Sequence, residues 1–163
     1  MRKDLKAIYD ANLRDFGHLE DAEIMALTLW PECRGEPLAG KIAVGTVILN
    51  RVEHRGWDGK TVKEVCLWPK QFSCFNPDDK QREWLVDFAE DHEFSFENSA
   101  SLKDCYIIAQ GLLKGIIRPD DDILRTRCCQ YLTTKAKLDT SWWKKMKFVK
   151  KIGGHEFYSD LMR

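Results

Sequence analysis

The sequence predicts an α+β fold, mostly helical, with a small β element near the C-terminus. Three observations lead there. Apolar residues recur at helical spacing through most of the chain up to Gly115. Proline and glycine punctuate those segments rather than interrupting them at random. Two short β-prone stretches come last, "CCQYLTT" and "KFVKKIGGHEFYS", the second broken by a Gly153-Gly154 turn.

Each element has its own signal. A first helix is expected over Lys3 to Asp15. A second starts in "LEDAEIMALTLW", where Glu20 or Asp21 places negative charge at the positive end of the helix dipole. Pro31 is expected to end or kink it, because proline removes a backbone donor and disfavours helical geometry at Trp30. The third, "PLAGKIAVGTVILNRVEH", starts at Pro37, a residue suited to a first helical position. Its apolar residues, Ile42, Val44, Val47, Ile48, Leu49 and Val52, cover most of the circumference, so it is expected to be central. Its β-branched content keeps a strand open; length and the proline start favour helix. "TVKEVCLW" reads as a short helix capped by Thr61, and "PKQFSCFNPDD" as a loop. "SASLKDCYIIAQGLLKG" is amphipathic, with Leu102, Cys105, Ile108, Ala109 and Leu112 on one face and Gly115 past its end.

One stripe of the third helix is polar. Thr46, Asn50 and Glu53 follow helical spacing. They form either a solvated edge or a strip facing a cleft.

The chain has 163 residues, 44% apolar and 32% charged, which suits a single domain over 1–163 with its own core. Basic and acidic residues number 26 each, so no net charge points to nucleic acid or an anionic membrane. No apolar run reaches membrane-spanning length. The basic start "MRKDLKAIYDANLRDFGHLED" lacks an apolar core and a cleavage site, so no signal peptide is read and synthesis in the cytoplasm is expected. None of the six cysteines forms a C-x-x-C pair. They are expected to be reduced, buried small hydrophobes, with no metal and no cofactor.

Chemistry concentrates in "WPECRGEPLAG", Trp30 to Gly40, which carries Glu32 and Glu36. A carboxylic acid that donates a proton at neutral pH needs a desolvated, apolar setting. Glu32 has tryptophan, proline and an apolar segment before it. Glu36 precedes the buried helix, whose dipole favours the charged form. Glu32 is therefore the better acid and Glu36 the better structural or polarising carboxylate. Spacing alone favours a blander reading, two surface residues at helix ends, because acid pairs four residues apart are common.

A resemblance separates these readings. Glu32, Gly35, Glu36, Pro37, Gly40, Ala43, Val44, Asn50, Arg51 and Val52, within "PECRGEPLAGKIAVGTVILNRVEHRGW", resemble the signature of the SleB-type cell-wall hydrolases, the spore-cortex-lytic enzymes and their phage relatives. The likeness continues at Gln71-Phe72-Ser73, at "QYLTTKAKLDTSWW" and at "KKIGGHEFY", and covers roughly Ala22 to Tyr158. The chain departs at Pro31, at Cys33 and at Gln130, where many relatives carry histidine. The resemblance implies a compact lysozyme-like domain that cleaves peptidoglycan glycan strands as a lytic transglycosylase. It implies Glu32 as the catalytic acid and base. Gln71, Ser73 and Tyr131 would bind sugar, Phe72 and Trp68 would pack on sugar faces, and Thr46 and Asn50 would line the cleft floor.

Peptidoglycan is the implied partner, with no nucleic acid, no membrane span and a monomeric state expected. A phage endolysin released by a holin fits the missing signal. Two other classes remain open at this point. One is a cysteine hydrolase or amidase pairing Cys33 or Cys74 with His155. The other is a non-catalytic wall-binding module.

Overall fold

The computed structural model describes residues 2–54 and 59–159. The end of the family signature, residues 55–57, lies outside the described residues. Helices come first: α1 (Lys3–Phe16), α2 (Asp21–Cys33), α3 (Leu38–His54), α4 (Val62–Leu67), α5 (Arg82–Glu90), α6 (His92–Asn98), α7 (Ala100–Leu113) and α8 (Asp121–Arg125). Three strands follow, β1 (Gln130–Thr133), β2 (Lys147–Ile152) and β3 (His155–Ser159). They form an antiparallel sheet in the order β1-β3-β2. Both expected strands are present, and Gly153, at φ +55, turns β2 into β3.

The helix ends follow from side-chain caps. Glu20 and Glu23 form a reciprocal capping box at the start of α2, with the Glu20 N–H donating to Glu23 Oε1 at 2.8 Å. Thr61 and Ser99 accept the Glu64 and Leu102 amides at the starts of α4 and α7.

Pro31 does not end α2. The helix runs through it to Cys33, and the Arg34 N–H still donates to the Trp30 carbonyl at 3.0 Å. Proline in a last turn costs little more than one backbone bond. The burial of Ile24 through Trp30 outweighs that loss, since each large apolar side chain removed from water contributes about 1.5–3 kcal/mol. At α3 the expected start shifts by one: Pro37 lies just outside, and its carbonyl accepts the first amides, from Gly40 and Lys41.

The core lies where α2 packs on α7, α3 and α4. Gly45 lets α3 approach α7 closely, since a Cβ there would meet the Leu112 side chain. Arg82 ties α5 to the N-terminal helix through Asn12 Oδ1 (2.6 Å) and Asp15 Oδ2 (2.8 Å), and to the Phe75 carbonyl. Lys150 joins the sheet to α8 through Asp120 and Asp122, at 3.0 and 2.9 Å. Helices α5, α6 and α8 were not anticipated; they are short, and packing rather than a long apolar stripe holds them.

Candidate active site

The two acids end up with different partners, both supplied by the C-terminal sheet. Glu32 sits in the last turn of α2 and is partly buried. The Tyr131 hydroxyl, from β1, donates a hydrogen bond to its carboxyl. Burial pushes the Glu32 carboxyl above its usual range; the Tyr131 hydrogen bond and the Arg51 charge oppose that, and the Asp79 charge reinforces it. A shift in this direction is the one that proton donation requires. The Tyr131 hydroxyl is pushed well above its usual range, chiefly by burial, so it remains a donor.

Glu36 lies beyond the helix. Its two oxygens accept the Gly154 N–H at 3.1 Å each, and Oε1 lies 3.4 Å from His155 Nδ1. Gly153 and Gly154 are required here, because a Cβ on either would crowd the Glu36 carboxylate. His155 is buried and packs edge-on against Tyr131, with ring centroids 5.2 Å apart at 87°. Burial lowers its pKa, against the pull of Glu36. The order Glu36, His155, Tyr131, Glu32 thus links the α3 start to the acid at the α2 end.

Several expected site residues prove to be internal. Thr46 is fully buried and does not reach a cleft; its hydroxyl donates to the Ile42 carbonyl at 2.7 Å and accepts the Asp120 N–H at 3.0 Å. Asn50 is buried as well and uses Nδ2 on the Ile123 and Cys128 carbonyls, each at 2.9 Å. The polar strip of α3 therefore satisfies the backbone of a neighbouring segment, and only Glu53 is wet. A buried polar group needs a partner, and backbone carbonyls left over between α8 and β1 supply it. Phe72 is a core residue beneath the Arg51 guanidinium, so it offers no face to a sugar. Gln71 is partly exposed, Ser73 exposed, and the Trp68 ring packs on Tyr9 at 5.2 Å.

Arg51 is the residue whose role sequence reasoning missed. It stood in the family signature without an assigned function, yet its charge acts on Glu32 from a buried position. Asp79 was missed too, lying in a stretch with little pattern to align.

The cysteines do not make a nucleophile. All six are buried thiols outside any disulfide. Cys33 donates to the Leu29 carbonyl at 3.1 Å, and burial pushes the Cys33 and Cys74 thiols well up. His155 faces Glu36, Tyr131 and Phe157 instead. A separate cavity of ≈ 500 Å³ opens along α2, α6 and α7, lined by Glu23, His92, Phe96 and Tyr106 among others, and Glu32 is not in its wall.

A helical domain that presents a desolvated glutamate to a tyrosine on a small sheet has the parts of a sugar-cleaving enzyme. The profile of the cell wall hydrolase family matches residues 35–158, and this chain belongs to that family. Glu32 lies just ahead of the matched span. The chain is similar to the spore cortex-lytic enzyme of Oceanobacillus iheyensis, 36% identical over 74 residues, 41% of this chain and 26% of the relative. It is also similar to that of Bacillus cereus, 41% identical over 54 residues, 33% of this chain and 20% of the relative. The matched stretches therefore span about a quarter or less of those relatives. The structure is similar to the catalytic domain of the germination-specific lytic transglycosylase SleB from Bacillus anthracis, with TM-score 0.58 and 26% identity over 85% of this chain and 93% of that one. It is similar to the catalytic domain of Bacillus cereus SleB, with TM-score 0.55 and 25% identity over 85% and 89%. The lysozyme-like architecture agrees with the resemblance seen in the sequence.

Proposed function

We propose that this chain cleaves peptidoglycan between N-acetylmuramic acid and N-acetylglucosamine as a lytic transglycosylase, with Glu32 as acid and base. One observation carries the reading: burial raises the Glu32 carboxyl above its usual range, in the direction of a proton donor, while Tyr131 opposes that shift and favours the carboxylate that forms. The structural likeness to a lytic transglycosylase catalytic domain supports the same chemistry.

The steps balance. Glu32 gives its proton to the glycosidic oxygen, and the C1–O bond breaks with its electron pair leaving on that oxygen. The muramic C1 becomes electron-poor. The Glu32 carboxylate then takes the proton of the muramic 6-hydroxyl, and O6 closes on C1 to form a 1,6-anhydro ring. No water is consumed, and Glu32 ends as it began. Gln71 and Ser73, both accessible, are assigned to sugar hydroxyls or N-acetyl groups.

Hydrolysis is the second reading. It needs another carboxylate to activate water or attack C1. Glu36 is committed to Gly154, whereas the Asp79 charge does reach Glu32. Mass spectrometry of muropeptides released from purified sacculi separates the two: anhydro ends support the transglycosylase, and reducing ends overturn it in favour of hydrolysis. Folded Glu32→Gln should lose at least about 10²-fold in rate. Wild-type turnover by that variant would remove Glu32 from the mechanism. The same chemistry serves a phage endolysin or a bacterial wall-remodelling enzyme, and the reading covers either setting.

A further inference from the structure

The charges of this chain balance overall, at 26 of each sign, but they are not evenly spread. Residues 135–151 hold seven lysines and one aspartate. That stretch includes a 3-10 turn over Trp142–Lys145 and the edge strand β2. Lys137 is paired with Glu156, and Lys150 with Asp120 and Asp122. Lys144, Lys145 and Lys147 are exposed and make no ion pair among the described residues. Lysine on an edge strand blunts it against pairing with another chain, which accounts for Lys147. It does not account for Lys144 and Lys145, which precede the strand.

Aromatic rings lie among these lysines. Phe148 stands opposite Tyr158 across the β2-β3 pair, with ring centroids 5.7 Å apart. Trp142 and Trp143 each lie 6.1 Å from the same Tyr158 ring. Tyr158 is buried and its hydroxyl donates to Glu156 at 3.1 Å, whereas Phe148 is 50% exposed and Trp142 37%. Lys137 Nζ sits 4.2 Å from the centre of the Trp143 ring, and the Trp143 Nε1–H donates to the Thr140 carbonyl at 3.1 Å. The exposed rings are thus packed on a fixed one, and they sit beside exposed cations. Strand alternation puts Phe148 and Tyr158 on the face opposite Tyr131, His155 and Phe157. The face that meets Glu32 and this one are two sides of one sheet.

We propose that this outer face is a second binding site, for an anionic, phosphodiester-linked polymer of the cell wall: Lys144, Lys145 and Lys147 hold its phosphates, and Trp142 and Phe148 hold its sugar or polyol units. This rests on the reading that the chain works at the wall. Charge selects the partner. Exposed lysines without ion pairs suit a ligand whose negative charge repeats and is not compensated. The stem peptides of a peptidoglycan strand carry amines beside their carboxylates, whereas a phosphodiester polymer carries a full charge at each link. Lysine binds such phosphates as a point charge. The rings add what a bare polyanion would not use, a fixed apolar surface for the carbon faces of the repeat units. A contact on this side of the sheet keeps the enzyme at the wall between cleavage events and leaves the Glu32 side open.

The test measures binding with the full chain carrying Glu32→Gln, so that cleavage does not consume the target. Protein is pelleted with purified Gram-positive sacculi before and after hydrogen fluoride treatment, which removes phosphodiester-linked polymers and leaves the glycan strands. Intact sacculi should bind at least about 10-fold more tightly than stripped ones at low salt, and the difference should shrink as salt rises. The triple variant Lys144→Glu, Lys145→Glu, Lys147→Glu should lose that difference and its salt dependence. Trp142→Ala should weaken binding about threefold or more and keep the salt dependence. With Glu32 restored, the triple variant should turn over soluble, polymer-free strands within about twofold of wild type, because the lysines act by binding away from the bond that breaks. Equal binding of the parent to intact and stripped sacculi overturns the proposal, as does a folded triple variant that binds like the parent. Tighter binding to phosphatidylglycerol–phosphatidylcholine vesicles or to duplex DNA than to the released polymer also overturns it, in favour of a membrane or nucleic-acid face. If the triple variant does not fold, Lys144→Gln with Lys145→Gln decides on the same measurements. Cleavage by Glu32→Gln would remove the reading of the reaction, while the pelleting comparison would still judge this face.

Discussion

The Glu36 carboxylate grips the backbone N–H of Gly154 with both oxygens, 3.1 Å each, across 118 residues of sequence. That contact fastens the entry of α3 to the turn between β2 and β3. It sets the position of His155, and through the His155 ring the position of Tyr131. One acid of the motif thus builds the wall that the other acid faces.

Glu36→Ala should be destabilised by about 1.5–3 kcal/mol, the range for a hydrogen bond to a charged group. Glu36→Gln, which keeps one acceptor, should lose less. Gly153→Ala should also be unstable, because its backbone is left-handed and a Cβ would collide with Glu36. Thermal melts of the three variants check this ordering. A Glu36→Ala melt at the wild-type midpoint would show that the contact holds nothing.

Glu32→Gln should be more stable than wild type at neutral pH, though inactive. The folded-state pKa of Glu32 is raised, so the native state resists its ionisation. Wild-type stability is therefore highest while the group is protonated, and it falls as pH rises from the unfolded value through the folded one. Glutamine carries no such penalty. The gain should be present at pH 7 and absent near pH 4, measured by denaturant unfolding at both. Equal gains at the two pH values would show that ionisation is not its source.

Thr46→Val should cost about 1–3 kcal/mol, because the part-buried Asp120 N–H loses its acceptor. Asn50→Ala should cost at least as much, since two buried carbonyls lose their donor. Turnover per folded molecule should stay near wild type for Thr46→Val. Asn50→Ala should also reduce turnover, because the Ile123-to-Cys128 segment leads into the strand carrying Tyr131. Unchanged melting in both variants would contradict their place as backbone clamps.

Acidification should weaken the fold through His155. Its pKa is lowered by burial, with Glu36 opposing. The native state therefore holds the ring neutral; that stability is complete above the unfolded value of 6.5 and is lost as pH falls toward the folded one. His155→Asn should flatten the decline below about pH 6.5. Parallel decline in wild type and variant would locate the acid sensitivity elsewhere.

Thiol reagents should leave activity intact for as long as the protein is folded. All six cysteines are buried, and burial pushes Cys66 and Cys128 up to about 12 and Cys105 to about 11. Little thiolate is present to react. Mass spectrometry of native protein after alkylation should show slow labelling. Rapid labelling of Cys33 or Cys74 with loss of turnover would revive a cysteine mechanism.

Some of this was written in local pattern. The cap at Thr61, the buried face of α7 and the Gly153-Gly154 turn are each decided within a few residues, because capping, amphipathic spacing and left-handed backbone are short-range effects. The desolvated setting of Glu32 was also visible, from the tryptophan, the proline and the apolar run beside it. Other features could not be read that way. Helical spacing showed that Thr46 and Asn50 share a polar stripe, but not whether water, sugar or backbone lies opposite. Pro31 argued for a helix end until the burial of α2 overrode it. The pairing of Glu32 with Tyr131, of Glu36 with Gly154 and of Arg51 with Cys129 joins residues 78 to 118 positions apart. The chain by itself determined which groups could serve as acid, donor and counter-charge. Tertiary packing decided which of them meet, because hydrogen bonding and desolvation depend on distances that only the folded core sets.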